Sequence, residues 1–333
     1  SDGDVQDIKP RVAAGFLGID LALDSGALKI TDIVRGDGFR TAERSPLADP
    51  SLGVTEGMYL LKVGGESVGS ETEVYDRLLG RAGQVVSLTV AATPGGGGAK
   101  AVYGRPMGDG RRIRELAWVQ KNRDYVGKAS NGRIGYVYMR AMSGGDMSDF
   151  IRQYFPQRDK EALVIDVRFN NGGWVQSIIN RILADKLTGW FNMRNSRTPW
   201  SRQGDVFLGP MACLINEFSI SCGEEFPHRF KDLGRGPLIG RRTMGGEVGS
   251  SPGWPLADGG VVSVPNYGMF TRDGWVIEGE GVKPDIDVPS DPNAWAAGKD
   301  PQLDRAVKHL LDELAKRPVQ WPKIPPDRVR IKR

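Results

Sequence analysis

The sequence predicts an α/β core with a mixed central sheet and flanking helices, preceded by a small β-barrel-like domain. Three observations carry that reading. Residues 12–92 pack five or six short apolar runs and two helical stretches between Gly-rich turns. From about residue 131, apolar runs alternate with segments of helical periodicity, as in an α/β layer. Near the end, Leu303, Ala306, Val307, Leu310, Leu311 and Leu314 recur at helical spacing over 302–315. The 333 residues leave room for two or three domains.

Residues 1–11 form a polar, acidic end without an initiating Met, expected to be the start of an interior fragment or processed chain. In 12–92, segment 15–23 alternates over part of its length and turns at Asp24-Ser-Gly26 into 27–34. Ser45-Pro46 can start a short helix. Segment 57–63 is the next strand, followed by a turn at Gly64-Gly65. A helix over 71–79 presents Val74, Leu78 and Leu79 on one face, and 84–90 closes the domain as a strand. Residues 93–130 connect the domains through a hairpin tip at 94–98, a further strand at 99–105 and a helix over 111–129.

The core spans 131–317. Strands are expected at 133–139, 162–168, 206–209, 211–215 and 237–242, with helices at 146–154, 175–187, 222–231 and 302–315. The run 162–168 is nearly continuous in apolar residues, which suits a strand covered on both faces. A hairpin is expected from 260–270 with 275–277. Residues 318–333 read as a proline-containing basic tail.

Composition narrows the function. Net charge is only +4, and outside the tail no basic stripe interleaves with aromatics, so no nucleic-acid partner is expected. No run of 18 apolar residues appears, so no membrane partner is expected. Cys213 and Cys222 read as two free thiols in a reducing, cytoplasmic compartment. Two His and two Cys at scattered positions offer no metal-ligand spacing, and no cofactor is expected. The loop 245–249 lacks the Lys-Ser/Thr of a phosphate loop.

The chemistry-bearing stretch is 214–226, where an apolar strand enters a small-residue turn at Ser221 and then a helix. Locally this has two readings: a helix cap, or a serine nucleophile presented at a helix N-terminus.

Five segments together resemble the C-terminal part of the tricorn core protease family, within the C-terminal-processing class of serine peptidases. They are Arg133-Ile-Gly-Tyr-Val-Tyr, Leu163-Val-Ile-Asp-Val-Arg-Phe-Asn-Asn-Gly-Gly, Asn216-Glu-Phe-Ser-Ile-Ser-Cys-Gly-Glu, Leu238-Ile-Gly-Arg-Arg-Thr-Met-Gly-Gly and Gly279-Glu-Gly-Val-Lys-Pro-Asp-Ile. Their order and spacing fit, and 12–92 is similar to that family's PDZ domain. The resemblance implies Ser221 as nucleophile, with Ser219 structural, and Glu278 as the acidic member, with Glu280 as its competitor. It implies an oxyanion hole made by the N–H groups of Cys222 and Gly172. Asn171 takes the first position of a glycine cluster, and Cys222 a position that is Asp in the family pattern. Asn216 and Glu217 would support the turn or orient substrate.

The same resemblance places the catalytic His in a segment upstream of the PDZ domain. His228 lies seven residues past Ser221, about 10 Å along a helix, and His309 sits among the apolar positions of the last helix. The base is therefore expected on a segment absent from this chain, and the chain alone is expected to be inactive. The expected function is acyl transfer to water from peptides or unfolded chains, as endopeptidase or carboxypeptidase, in a homo-oligomer such as a ring. The rival reading is a non-catalytic peptide-binding or assembly scaffold that retains a protease fold.

Overall fold

The structure is a computed structural model, and it describes residues 12, 14–36, 43–193, 199–201, 206–250, 253–272, 274–275 and 277–326. The polar end 1–11 and the basic tail 328–333 lie outside the described residues. The chain divides into two compact units, Ser1–Asn122 and Arg123–Arg333.

The first unit is built on an antiparallel sheet of β1 (Ile19–Asp24), β2 (Ala27–Ile33), β3 (Tyr59–Val63), β4 (Glu66–Ser67), β5 (Val86–Ala91) and β6 (Lys100–Gly104). The order is β1-β2-β3-β5-β6, with β4 hydrogen-bonded to β3. Helix α1 (Glu71–Leu78) starts where the Ser70 side chain accepts the Glu73 N–H, with Glu71 and Glu73 favoured by the helix dipole. It buries Val74 and Leu78 against a core that includes Leu28, Ile30, Leu60, Val63, Leu88 and Val90. Strand β6 was expected in the connection after residue 92. It pairs with β5 over five residues and belongs to this sheet.

The boundary between the units falls within α2 (Arg111–Ala129), which has the limits its periodicity suggested. The second unit holds a five-stranded sheet in the order β17 (Ile286–Asp287), β12 (Leu238–Gly240), β11 (Met211–Ile215), β8 (Ala162–Asp166) and β7 (Ile134–Tyr138). All four pairings are parallel, where a mixed sheet was expected. The reason is connectivity. Helices α3 (Gly144–Tyr154), α4 (Gln176–Ala184) and α5 (Cys222–Asp232) each return the chain to the same end of the sheet. Every residue of β7, β8 and β11 is buried, as a sheet covered on both faces requires.

Helix α3 begins with a capping box between Ser143 and Asp146. The terminal helix α7 (Pro301–Lys316) follows α6 (Pro292–Ala296) and buries Leu303, Ala306, Val307, Leu310 and Leu314. Its N-cap, Asp300, also pairs with the fully buried Arg168.

Two smaller expectations change. Residues 206–208 form no strand. Among the described residues, the segment 260–270 does not pair with 275 or 277. Instead β14 (Trp254–Pro255) pairs with β15 (Val261–Val262), and β13 (Gly249–Ser250) pairs with β16 (Pro265–Tyr267). The tight turn responsible is 256–260, where Asp258 accepts the Gly260 N–H and Gly259 takes φ +84°. The remaining short pair is β9 (Trp190–Phe191) with β10 (Trp200–Ser201).

Candidate active site

Parallel strands of an α/β sheet bring the loops after their carboxyl ends to one edge. Here those loops are the turn 169–173 after β8, the turn 216–221 after β11 and the loop 243–249 after β12, with β11 between β8 and β12. The site is made where they meet.

Ser221 has φ 55° and ψ −129°, a left-handed conformation that costs a non-glycine residue about 1–3 kcal/mol. Its side chain makes no cap hydrogen bond to α5, so the helix-cap reading fails. The main chain is held from three sides. Ile220 N–H donates to the Asn170 carbonyl at 3.0 Å, and Ser221 N–H donates to the Gly246 carbonyl at 3.0 Å. The Ser221 carbonyl accepts from the first turn of α5, at 2.6 Å from Glu224 N and 3.1 Å from Glu225 N.

Asn216 buttresses this turn. Its side-chain oxygen accepts the N–H of Phe169 at 2.9 Å and of Phe218 at 3.2 Å. Ser219 is buried and donates to the Val167 carbonyl at 2.9 Å, consistent with a structural residue. Glu217 is exposed and accepts from Ser290 Oγ, so the structure does not direct its carboxylate at the turn.

The glycine turn packs directly on the serine. Gly172 has φ +81°, and a Cβ there would lie 2.8 Å from Ser221 Cβ. Asn171, at the first position of the glycine cluster, does not take a positive φ. The left-handed positions are instead Phe169, Gly172 and Gly173, while Asn171 is exposed and donates its N–H to Arg140 O.

The oxyanion-hole expectation also shifts. Gly172 N–H donates to Asn170 Oδ1 at 2.9 Å and is committed. The N–H groups of Gly173 and Cys222 have no acceptor among the described residues. Cys222 Sγ donates to the Gly173 carbonyl at 2.8 Å, tying the two amides' segments together. Burial first, then the charges of Glu225 and Glu247, push the Cys222 thiol up to about 11, so it is no thiolate near neutrality.

Two carboxylates pin the third loop. Glu224, fully buried, accepts the N–H of Gly245 and of Gly246 at 2.7 Å each, together with the Thr243 hydroxyl. Glu278 accepts the N–H of Glu247 and of Val248 at 2.7 Å each through one oxygen. Glu280 is exposed, and its main-chain carbonyl takes Arg242 Nη1. Of the two acidic candidates, Glu278 is therefore the one docked on the loop whose Gly246 carbonyl holds Ser221. Asn170, Glu224 and Glu247 were missed as site residues. Glu224, three residues after Ser221 at a helix start, carried the one local signal, since a first-turn Glu commonly binds main-chain N–H groups.

Neither histidine is placed with Ser221. His228 Nδ1 lies 3.3 Å from Asp232 Oδ2 further along α5, and burial holds His309 in α7 below the usual imidazole range. Among the described residues no cluster of His, Cys, Asp or Glu suits a metal ion. No helix among them is long and apolar enough to cross a membrane.

Comparison with known proteins agrees with this arrangement. Residues 133–288 match Peptidase family S41, and residues 15–109 match the Tricorn protease PDZ domain. Tricorn protease homolog 1 of Streptomyces coelicolor is 36% identical over 92% of this chain and 29% of its own length. Tricorn protease of Thermoplasma volcanium is 34% identical over 93% of this chain and 30% of its own. The putative Tricorn-like protease C-terminal subunit of Sulfurisphaera tokodaii is 34% identical over 90% of this chain and 34% of its own. A crystal structure of the tricorn protease superposes with a TM-score of 0.84 at 33% identity, covering 91% of this chain and 29% of that one. The chain thus spans about a third or less of the length of these relatives. It joins a tricorn-type PDZ domain to a peptidase family S41 domain.

Proposed function

We propose that this chain is the catalytic core of a serine peptidase that hydrolyses peptides or unfolded polypeptides through an acyl-enzyme on Ser221. The observation that carries the proposal is the strained, three-sided clamp on Ser221 at the N-terminus of α5, against the glycine turn. A serine hydroxyl is a weak nucleophile and needs a base within hydrogen-bond reach. His228 and His309 are the only histidines in the sequence, and neither lies at the site. The base is accordingly a histidine from outside this chain, oriented with the help of Glu278. The Sulfurisphaera tokodaii relative is described as a C-terminal subunit, an arrangement in which the base would arrive on another polypeptide.

In the reaction, Ser221 Oγ attacks the peptide carbonyl as the histidine takes its proton. The oxyanion accepts hydrogen bonds from Cys222 N–H and from the 172–173 turn. Gly173 N–H has no acceptor among the described residues, and Gly172 N–H is held by Asn170 Oδ1. One such donor is worth roughly 3 kcal/mol of barrier. The C–N bond then breaks as the histidinium gives its proton to the departing amine, and water, deprotonated by the same histidine, hydrolyses the acyl-enzyme to free Ser221. Kinship with tricorn proteases extends the proposal to a cytoplasmic homo-oligomer such as a ring.

The test is fluorophosphonate labelling followed by mass spectrometry, on this chain alone and with the upstream histidine-bearing segment added. Labelling of Ser221 only after addition supports the proposal. No labelling in either sample favours the non-catalytic scaffold, and robust Ser221-dependent turnover by the chain alone overturns the external base.

A further inference from the structure

Away from the nucleophile, the first unit carries a cavity of about 590 Å³ between the segment 16–21 and helix α1. Buried apolar side chains line both walls, Leu17 and Ile19 on the strand side and Val74 and Leu78 on the helix. Strand β1 is the edge of its sheet, so its side facing away from β2 has no strand partner. At the head of the cavity the N–H groups of Leu17 and Gly18, both buried residues, have no acceptor among the described residues. Buried main-chain N–H groups are nearly always paired, so these two call for an acceptor from outside. A PDZ domain ordinarily fills such a cleft with a peptide that adds to the edge strand and ends in a carboxylate on main-chain N–H groups.

One acceptor that an added strand needs is already taken. Successive carbonyls of an extended strand point to opposite edges. Gly18 O accepts Val34 N–H at 3.0 Å, on the β2 side. The next carbonyl, Ile19 O, therefore faces the free edge, and there it accepts Arg114 Nη2 at 2.8 Å. Arg114 stands in the first turn of α2, and Asp20 holds it in place, with Oδ1 2.6 Å from its Nη1.

We propose that Arg114 is a self-inhibitory latch on this cleft: anchored by Asp20, its guanidinium occupies the Ile19 carbonyl that an incoming peptide strand must use. The partner is an extended peptide with an apolar carboxyl end. Nothing in this depends on the role of Ser221.

The other charges around the cavity leave the latch alone. Asp109 is paired with Arg111, and Glu71, on the facing helix, makes no ion pair among the described residues. The latch is also weak enough to open. The side chains of Arg114 and Asp20 are 43% and 52% exposed, and ion pairs that exposed hold by a factor of about five or less. A peptide N–H that replaces the guanidinium restores the hydrogen bond to Ile19 O, and water solvates the released cation. The latch thus lowers affinity without abolishing it.

The probe is an alanine octapeptide ending in Val-Ala-Val, labelled with fluorescein at its amino end and titrated against the whole chain by anisotropy. Arg114→Ala is expected to tighten binding about fivefold, and Asp20→Asn, which frees the guanidinium without removing it, about twofold. Glu71→Gln, a charge change on the same cavity outside the latch, is expected to leave binding unchanged. Raising salt from about 50 mM to about 500 mM should narrow the gap between wild type and Arg114→Ala, because the ion pair is screened. The peptide with an amidated carboxyl end is expected to bind about tenfold more weakly, since it offers Leu17 and Gly18 no carboxylate. Thermal melts confirm that the variants are folded. Weaker binding by Arg114→Ala would make Arg114 a ligand contact and overturns the latch. Equal binding by Arg114→Ala and wild type, equal tightening by Glu71→Gln, or no binding by any of the proteins overturns it as well. Equal binding of the free and amidated peptides overturns the carboxyl end as the group recognised.

Discussion

The main-chain carbonyl of Asn170 accepts the N–H of Ile220 at 3.0 Å, so the two turns that meet at Ser221 are hydrogen-bonded to each other. The Asn170 side chain extends the link, donating to Met139 O at 2.7 Å and accepting Gly172 N–H at 2.9 Å. The residue is fully buried, and a Cβ at Gly223 would fall 2.8 Å from its carbonyl oxygen. Asn170 is therefore the pivot between glycine turn and nucleophile turn.

Asn170→Ala removes both side-chain hydrogen bonds and leaves the Met139 carbonyl unpaired. It is expected to cost about 2–3 kcal/mol of stability, measured by urea unfolding. Labelling of Ser221 in the reconstituted protein should slow in parallel. A variant of wild-type stability would show that the link is dispensable.

Gly172→Ala puts a methyl group 2.8 Å from Ser221 Cβ at a residue with φ +81°. The left-handed backbone alone costs an alanine about 1–2 kcal/mol. The expected outcome is modest destabilisation with a disproportionate loss of Ser221 labelling, because relief comes only by moving the serine. Equal loss of stability and labelling would mean a general folding defect.

Arg168 is fully buried between Asp166, at 2.7 Å, and Asp300, at 2.8 Å, with Tyr136 donating to Asp166 at 2.8 Å. Removing one member of such a network strands the others' charge, so Arg168→Met should cost about 3–5 kcal/mol in denaturant unfolding. The network ties the end of β8 to the cap of α7, and the same variant should loosen α7 in hydrogen exchange.

The carboxyl of Glu247 also sets a pH dependence of stability. Its folded value, about 8, lies above the ordinary 4.5, so the folded state holds the proton more tightly than the unfolded chain. That contribution is fully present below about 4.5 and is lost as pH rises to about 8. The melting temperature of wild type should fall across this window, and Glu247→Gln should flatten the fall. Parallel curves for the two proteins would place the titration elsewhere.

Both cysteines are free and buried, and burial raises both thiols, Cys213 well above the usual range. Iodoacetamide near neutral pH should leave the native protein unmodified and label both thiols after unfolding. Rapid native labelling of Cys222 would revive it as a nucleophile.

Element order was legible because it is local. The apolar run read over 162–168, whose strand is 162–166, and the helical spacing of Leu303 to Leu314 each express a preference of neighbouring residues. So do the small-residue turn at Ser221 and the glycine break after β8. Tertiary structure decided what those turns touch. That Ile220 N–H goes to the Asn170 carbonyl, that Glu278 caps the loop at 247–248, and that Glu247 is left buried without a donor among the described residues all depend on three loops brought together by parallel strands. A main-chain N–H takes whichever acceptor lies in reach, and a carboxyl keeps or loses its proton according to the charges around it. Those neighbours come from segments tens of residues apart, so they follow from the sheet order rather than from the sequence beside each residue.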